Sequence, residues 1–399
     1  MVTKKIKRGI DKIWRKIGVI KLPVLAKHNI NEKSSIYTHI AAFLLSNAGD
    51  VLLPITLQDL FQYKRKGLNW KNIHAHWVIS DELITDINNT DGLIIGGGGL
   101  FLKDTNPNQL SGWQWSCSIE SLKKINVPMV IFAAGYNRFQ GQEDFDPIFK
   151  EHIKLLSEKA VYIGLRNHGS IAAIRSYLPE NLHNKIRYQP CMTTLISKIY
   201  PNFFDYEKKE EFIVLNCAFD RNNLRFGENE DQILTNIALA CKELSKDYKI
   251  KYYAHSEKDL RMIPILERVR LKFELVNFKY MHPKKIIKAY SKPSLVIGMR
   301  GHAQMIPFGC LTPILSLISH DKMQWFLDDI NQTNWGVDIK DPNLKDIIVY
   351  KSKNTLNNKL KIIEIIKKEQ NKLLKISKKN VSDFEESRKV YLKNNTLTA

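Results

Sequence analysis

No stretch of this 399-residue sequence is a long apolar run. A bilayer-crossing helix needs ~18–20 such residues, so none is expected. The first residues carry no apolar segment followed by a cleavage site, so a secretory signal is not expected either. Cysteine is sparse. The five (Cys117, Cys191, Cys217, Cys241 and Cys310) include no Cys-x-x-Cys pair, which argues against a zinc or dithiol redox motif. An odd, scattered set suits reduced thiols and a cytoplasmic setting. Glycine (19) and proline (14) are too few for a low-complexity chain. Acidic residues are short as well, 41 against 61 Lys and Arg, for a net charge of +20. Dinucleotide and P-loop fingerprints are absent. The run Gly96-Gly97-Gly98-Gly99 is not Gly-x-Gly-x-x-Gly, and no Lys-Ser/Thr follows it.

What is there is a globular composition, 44% hydrophobic, in a chain long enough for two domains of ~150–200 residues. The positive charge predicts affinity for polyanions as a class: nucleic acid, anionic lipid or phosphorylated substrates. It is spread along the chain without a nucleic-acid motif, so no nucleic-acid partner is expected. Residues 1–22 form a basic amphipathic pattern. Ile6, Ile10, Ile13, Trp14 and Ile17 share one helical stripe among Lys4, Lys5, Lys7, Arg8, Lys12, Arg15 and Lys16. Such a helix suits an anionic membrane surface; a helix packed on the body with a solvated basic face fits equally.

From there strands and helices alternate. Strands are expected at 36–42, 74–79, 92–95, 128–133 and 161–165, and helices at 51–61, 82–87, 113–124, 147–158 and 170–178. Residues 201–211 are polar and turn-rich, a linker. The rhythm restarts with strands at 212–218, 249–254, 294–297 and 313–317 and helices at 230–245, 260–271, 283–290 and 323–329. A Lys-rich helical tail follows, with Leu356, Leu360, Ile363 and Ile366 as its apolar stripe and fraying from residue 390. This βα alternation predicts parallel, doubly wound sheets. The expected architecture is α/β and GT-B-like: two Rossmann-like domains, residues 23–203 and 211–343, facing a cleft, with a helical tail at 344–399.

Ligands in such sheets bind off the carboxyl ends of strands, often at helix N-termini. Several polar residues fall there. Asn47, Gly49 and Asp50 lie between a strand and a helix, as an anion or hydroxyl contact or as a plain turn with a capping Asp. Gly97 and Gly98 end a buried strand, as a cleft wall or a tight crossover. Arg166 opens a helix after a strand, to meet an anion or a structural ion pair. Arg221 ends the first strand of the second half, either on a ligand or paired with Asp220. Arg300 and His302, separated by Gly301, follow another strand, and Lys322 follows the next beside His320. A guanidinium grips carboxylate or phosphate through two hydrogen bonds. An imidazole at that place can carry a proton near neutral pH. An ammonium suits phosphate as a point charge.

In order and spacing this set resembles the polysaccharide pyruvyl transferase family. The shared features are Asn47-x-Gly49-Asp50, the strand with a Gly-rich end running from Ile94 to Phe101, Arg166 with Ser170, and Arg300-x-His302 followed by Pro313, an apolar strand and Lys322. The similarity spans about residues 36–329. Two positions depart from the family pattern: Gly301, where a bulky apolar residue is common, and Asn167, where an Asp is common. The resemblance implies a GT-B-like fold with an acceptor-side first domain and a donor-side second domain. It implies phosphoenolpyruvate as donor, a sugar of a cell-surface polysaccharide or its lipid-linked precursor as acceptor, and a cyclic pyruvate ketal as product. Arg300, Arg221 and Lys322 would hold the donor and His302 would act as acid/base, with Arg300 stabilising charge. Asn47, Gly49, Asp50, Gly97, Gly98 and Arg166 would line the acceptor side. No metal and no cofactor are implied beyond the co-substrate. The expected location is cytoplasmic, at the inner face of the plasma membrane if residues 1–22 dock there. Two alternatives stay open on the residues: a GT-B glycosyltransferase using a nucleotide sugar, and a non-enzymatic basic protein that binds polyanions or membrane.

Overall fold

The computed structural model describes residues 35–396 apart from 44–46, 65, 66 and 140, with Leu22 and Leu25 besides. The N-terminal helix expected over residues 1–22 lies outside the described residues, except for Leu22.

Two six-stranded, all-parallel sheets build the molecule. The first holds β1 (Ile36–Ala41), β2 (Asn69–His74), β3 (Leu93–Phe101), β4 (Met129–Tyr136), β5 (Tyr162–Leu165) and β6 (Ile186–Tyr188), in the order β2-β1-β3-β4-β5-β6. The second holds β7 (Glu210–Asn216), β8 (Lys249–Ala254), β9 (Glu274–Asn277), β10 (Pro293–Gly298), β11 (Ile314–Ile318) and β12 (Gly336–Asp338), in the order β12-β11-β10-β7-β8-β9. Both are doubly wound, and in each the winding reverses beside the first strand: between β1 and β3, and between β7 and β10. The central strands are apolar on both faces, as helices on both sides require; β4 is buried at all eight positions.

The helices that matter below are α1 (Ala48–Lys64), α2 (His168–Arg175), α3 (His302–Gly309), α4 (Asp321–Asp329), α5 (Leu344–Asn357) and α6 (Lys359–Thr396). An apolar cluster welds the halves along the cleft floor. It joins Val51, Leu52 and Leu53 of α1 to Met305, Ile306 and Phe308 of α3, with Ile363 and Ile366 of α6 behind them. Backbones approach closely there, for a Cβ on Gly309 would overlap the carbonyl oxygen of Thr193. The long helix α6 crosses both halves. Gln370 donates to the carbonyls of Phe308 (2.9 Å) and Gly309 (3.1 Å), and Asn380 to that of Tyr188 (2.9 Å).

Several elements differ from the sequence reading. The strand expected at 74–79 lies earlier, at β2, whose half-polar pattern Asn-Trp-Lys-Asn-Ile-His hid it. The helix expected at 113–124 spans only Ile119–Lys124. Trp113 and Trp115 are fully buried in the preceding loop, so tertiary packing rather than helical periodicity explains their apolarity. The short strands β6 and β9 carry too few apolar residues to be visible. The second-half segment at 260–271 splits into a 3-10 turn, Glu257–Met262, and the helix Ile263–Arg268. Leu360 is 75% exposed rather than part of the tail's buried stripe, because the chain breaks at Asn358 and restarts as α6. The tail remains helical to Thr396 instead of fraying from residue 390.

Candidate active site

The two reversal points face each other, and the polar residues read from the sequence cluster there. Off β1, Asn47 Oδ1 accepts the Gly49 N–H at 2.9 Å, and Asp50 lies in the first turn of α1. Such a side-chain-to-backbone bond two residues on fixes a turn and aims the helix N-terminus. Gly49 is required sterically, because a Cβ there would overlap the imidazole of His302 from the opposite half. Gly97 and Gly98 have φ of 73° and 109°, a region that disfavours side chains. Their open sides meet Leu53 of α1, so they serve the close packing of β3 on α1.

Arg166, directly after β5, is 6% exposed. Its Nη2 donates to Asn137 Oδ1 at 2.8 Å, while its buried Nε has no partner among the described residues. Lys322, in the first turn of α4, reaches the same Asn137 oxygen at 3.4 Å. No carboxylate among the described residues pairs with either cation. Burial, reinforced by Arg166, pulls the Lys322 ammonium down to about 7. Beneath them Phe139 forms an aromatic floor. Its ring lies 5.9 Å from Lys322 Nζ, 5.4 Å from the Arg221 guanidinium and 5.3 Å from that of Arg225, and 3.8 Å from the His320 ring. His320 caps α4 by accepting the Lys322 N–H on Nδ1, at 3.2 Å. That fixes its proton on Nε2, a buried atom without a partner among the described residues.

The other arginines are engaged. Arg300, after β10, donates from Nε to Asp259 (2.9 Å) and from Nη1 to Asp220 (3.0 Å), with Ser256 at 3.2 Å. Asp259 is fully buried. Against the pull of burial, it raises the guanidinium's hold on its proton. Asp220 also takes Arg225 at 2.9 Å. Burial would raise its carboxyl, but Arg225, Arg300 and Lys322 hold it well below the carboxylate range. Arg221 adopts a left-handed conformation, φ 55° and ψ 51°. That rare geometry for a side-chain-bearing residue accompanies a reach across the cleft, where Nε meets Asp104 Oδ2 at 2.8 Å. On another side of the cleft, His168 at the start of α2 meets Asp329 of α4 at 2.7 Å.

His302 starts α3. Its Nε2 stands 4.0 Å from Cys191 Sγ. Burial lowers the imidazole to about 3, with Arg166, Lys322 and Arg300 reinforcing, so the ligand-free ring is neutral at neutral pH. Asp50 moves the other way: burial raises its carboxyl to about 6, while Arg300, Arg166 and Lys322 restrain the rise. Gly301 has ordinary helical angles (φ −52°, ψ −42°), and a Cβ there would meet nothing within 4 Å, so neither backbone nor space demands glycine. Asn167 caps α2 by accepting the Ser170 N–H at 2.7 Å, the local structural job that an Asp would also do.

The structure therefore brings Asp50, Arg166, His302 and Lys322 together, with Asn137 shared by the two cations and Arg300 and Arg221 beside them on carboxylates. Asp220, read from the sequence as the alternative partner of Arg221, does lie 3.5 Å from it; sequence reasoning missed Asn137, Phe139, Arg225, Asp259 and Asp104. Asn137 carried a signal, a polar side chain just beyond a fully buried strand. Asp259 did not, since its partner lies 41 residues away. Chemically, two unpaired cations, a neutral imidazole and a carboxyl poised near neutral pH suit a small dianion and a proton transfer beside it. Among the described residues no group of three or more His, Cys, Asp or Glu is placed to hold a metal ion.

A family model described as polysaccharide pyruvyl transferase matches residues 44–321. No curated protein matches the sequence. Solved structures match the fold over most of the chain. A UDP-GlcNAc 2-epimerase from Neisseria meningitidis bound to UDP-GlcNAc is 11% identical, covers 88% of this chain and 99% of its own, and superposes with a TM-score of 0.51. The UDP-GlcNAc 2-epimerase from Methanocaldococcus jannaschii is 12% identical, with coverage of 81% and 93% and a TM-score of 0.51. At that identity the likeness establishes the GT-B fold alone.

Proposed function

Because this chain belongs to the polysaccharide pyruvyl transferase family, a family of transferases, we propose that it moves pyruvate from phosphoenolpyruvate onto a sugar. The acceptor is a cell-surface polysaccharide or its lipid-linked precursor, and the reaction is placed at the cytoplasmic side. The observation that carries this reading is the pair of unpaired buried cations, Arg166 and Lys322, sharing Asn137 next to His302 and Asp50.

Phosphoenolpyruvate presents a phosphate and a carboxylate a few bonds apart. The phosphate suits Arg166 and Lys322, neither of which has a direct carboxylate partner among the described residues. The carboxylate suits Arg300 and Arg221, at the cost of competing with Asp220 and Asp104. Protonation of the methylene carbon makes C2 electrophilic, and a sugar hydroxyl adds there. Phosphate then leaves and a second hydroxyl closes the ketal. Of the two hydroxyl protons released, one balances the new methyl group and one leaves with phosphate. The stoichiometry closes with donor and acceptor alone. His302, neutral before the donor binds, accepts the hydroxyl proton. Asp50, at about 6, is the nearby group able to give one. The cations stabilise charge that builds on the departing phosphate.

The test is incubation with phosphoenolpyruvate and candidate glycans, reading phosphate release together with a pyruvyl mass gain on the glycan. Arg166→Ala and His302→Ala should each lose on the order of 10²-fold or more in turnover while folding normally. Full activity in either variant would sink the site assignment. A second reading, a nucleotide-sugar glycosyltransferase, draws on the UDP-sugar ligand named for the Neisseria structural neighbour. Thermal shifts with UDP-sugars and none with phosphoenolpyruvate would favour it.

A further inference from the structure

The outer face of α6 is rich in lysine. The helix carries eleven basic side chains against five acidic ones, and it sorts them. Ile366, Leu373, Val381 and Phe384 are buried against the body. Lys361, Lys368, Lys372, Lys375 and Lys379 are exposed on the opposite side, and Lys389 and Lys393 continue the row. Their spacings of mostly three, four and seven residues keep them on one stripe of a helix. At ~1.5 Å per residue the row is about 48 Å long. Glu364 and Glu386 interrupt it, and Glu364 is taken up by Lys367. Lys372 and Lys379 have partners along the helix in Glu369 and Asp383. Lys361, Lys368, Lys375 and Lys389 have no carboxylate partner among the described residues.

Apolar side chains stand exposed at both ends of this row. Leu360 is 75% exposed and Val390 59%, with Tyr350 of neighbouring α5 at 73%. A soluble polyanion would be met by the lysines alone. A bilayer meets both, since anionic headgroups attract each lysine and the interface takes up apolar and aromatic tips. The helix contacts both halves, through Gln370 and Asn380, so a partner lying along it would meet one element that spans the molecule.

We infer that the outward stripe of α6 is a docking surface for an anionic lipid bilayer. This is independent of the reaction proposed above. Docking there would hold the enzyme, by its back, on a membrane that carries lipid-linked material, with the cleft floor resting on the other side of the same helix.

Cosedimentation of the full chain with vesicles tests it, using phosphatidylcholine alone or mixed with phosphatidylglycerol. Binding is expected to the mixed vesicles only and to weaken with salt. The variant K361E/K368E/K375E/K389E should lose at least about tenfold in partitioning, as should the milder set with Gln at the same positions. The control K123E/K150E/K154E/K272E makes the same charge change on exposed lysines elsewhere and should partition like the wild type. Unchanged melting temperatures show that the variants are folded. Three results would overturn the inference: no binding by the wild type, equal losses in stripe and control variants, or undiminished binding in both stripe variants. Stripe-dependent binding to a soluble sulfated polysaccharide that matches the vesicle affinity would also overturn it, in favour of a polymer.

Discussion

Donor binding should draw a proton from solution, and Lys322 should be the group that takes it. Its ordinary value is 10.5, and burial with Arg166 close by brings it to about 7. At about 1.36 kcal/mol per pH unit, the cleft opposes the charged ammonium by on the order of 5 kcal/mol. The sign follows from a folded value below the unfolded one. Stability from this group is complete above the unfolded value and is lost as pH falls through about 7. A bound dianion cancels that loss by restoring the ammonium. Calorimetry of phosphoenolpyruvate binding, in buffers of different ionisation enthalpy, reads the uptake directly. At pH 7 about half a proton is expected from this group, and at pH 8 about nine-tenths. The dissociation constant should rise between pH 7 and 9 by up to about tenfold per unit. Lys322→Arg keeps the charge but cannot give it up, so its uptake at pH 8 should vanish and its affinity should flatten with pH. Equal uptake in the wild type and in Lys322→Arg would refute the reasoning, as would none in the wild type.

Other predictions follow from single contacts. Gly49→Ala places a Cβ on the His302 ring. It should cut turnover by at least about tenfold with little change in melting temperature, since the displaced ring borders the cleft; an unimpaired enzyme contradicts the placement. Gly301→Leu has room and ordinary backbone angles, so stability should move by no more than about 0.5 kcal/mol by denaturant melts. Asp104→Asn removes the carboxylate that Arg221 holds across the cleft. The hydrogen bond from Arg221 keeps that carboxyl below its ordinary range, so the contact persists at neutral pH and is lost only as pH falls through the depressed value. The variant should bind phosphoenolpyruvate more tightly by calorimetry, because the nearer of Arg221's two carboxylate competitors is gone; unchanged or weaker binding would contradict the competition.

The sheets were legible because their central strands are short apolar runs ended by glycine, asparagine or arginine. β10, ending at Gly298, and β7, ending at Asn216, are clear cases, and both frame the site. The strands that escaped are peripheral. β2 mixes polar with apolar residues at the sheet's outer position, and β6 and β9 are only three and four residues long. The strand-end rule placed Asp50, Arg166, Arg300, His302 and Lys322 on one side of their sheets, and the fold turns those sides toward each other. It could not show which cations were free. Arg300 and Arg166 look alike in sequence, yet one is buried on Asp259 and the other, among the described residues, hydrogen-bonds only Asn137. That distinction depends on pairings between residues 29 and 41 positions apart, for which a single sequence holds no local signal. The same limit hid the opposite shifts of His302 and Asp50, which arise from burial and from cations of both halves.

The central claim is that C3 of phosphoenolpyruvate is protonated as a sugar diol is captured at C2. Turnover in deuterium oxide tests it most directly, with mass and NMR analysis of the glycan product. The account predicts a ketal methyl group carrying one solvent-derived deuterium, and equimolar phosphate. A ketal with an unlabelled methyl, or a glycan extended from a UDP-sugar with no ketal formed, would contradict it.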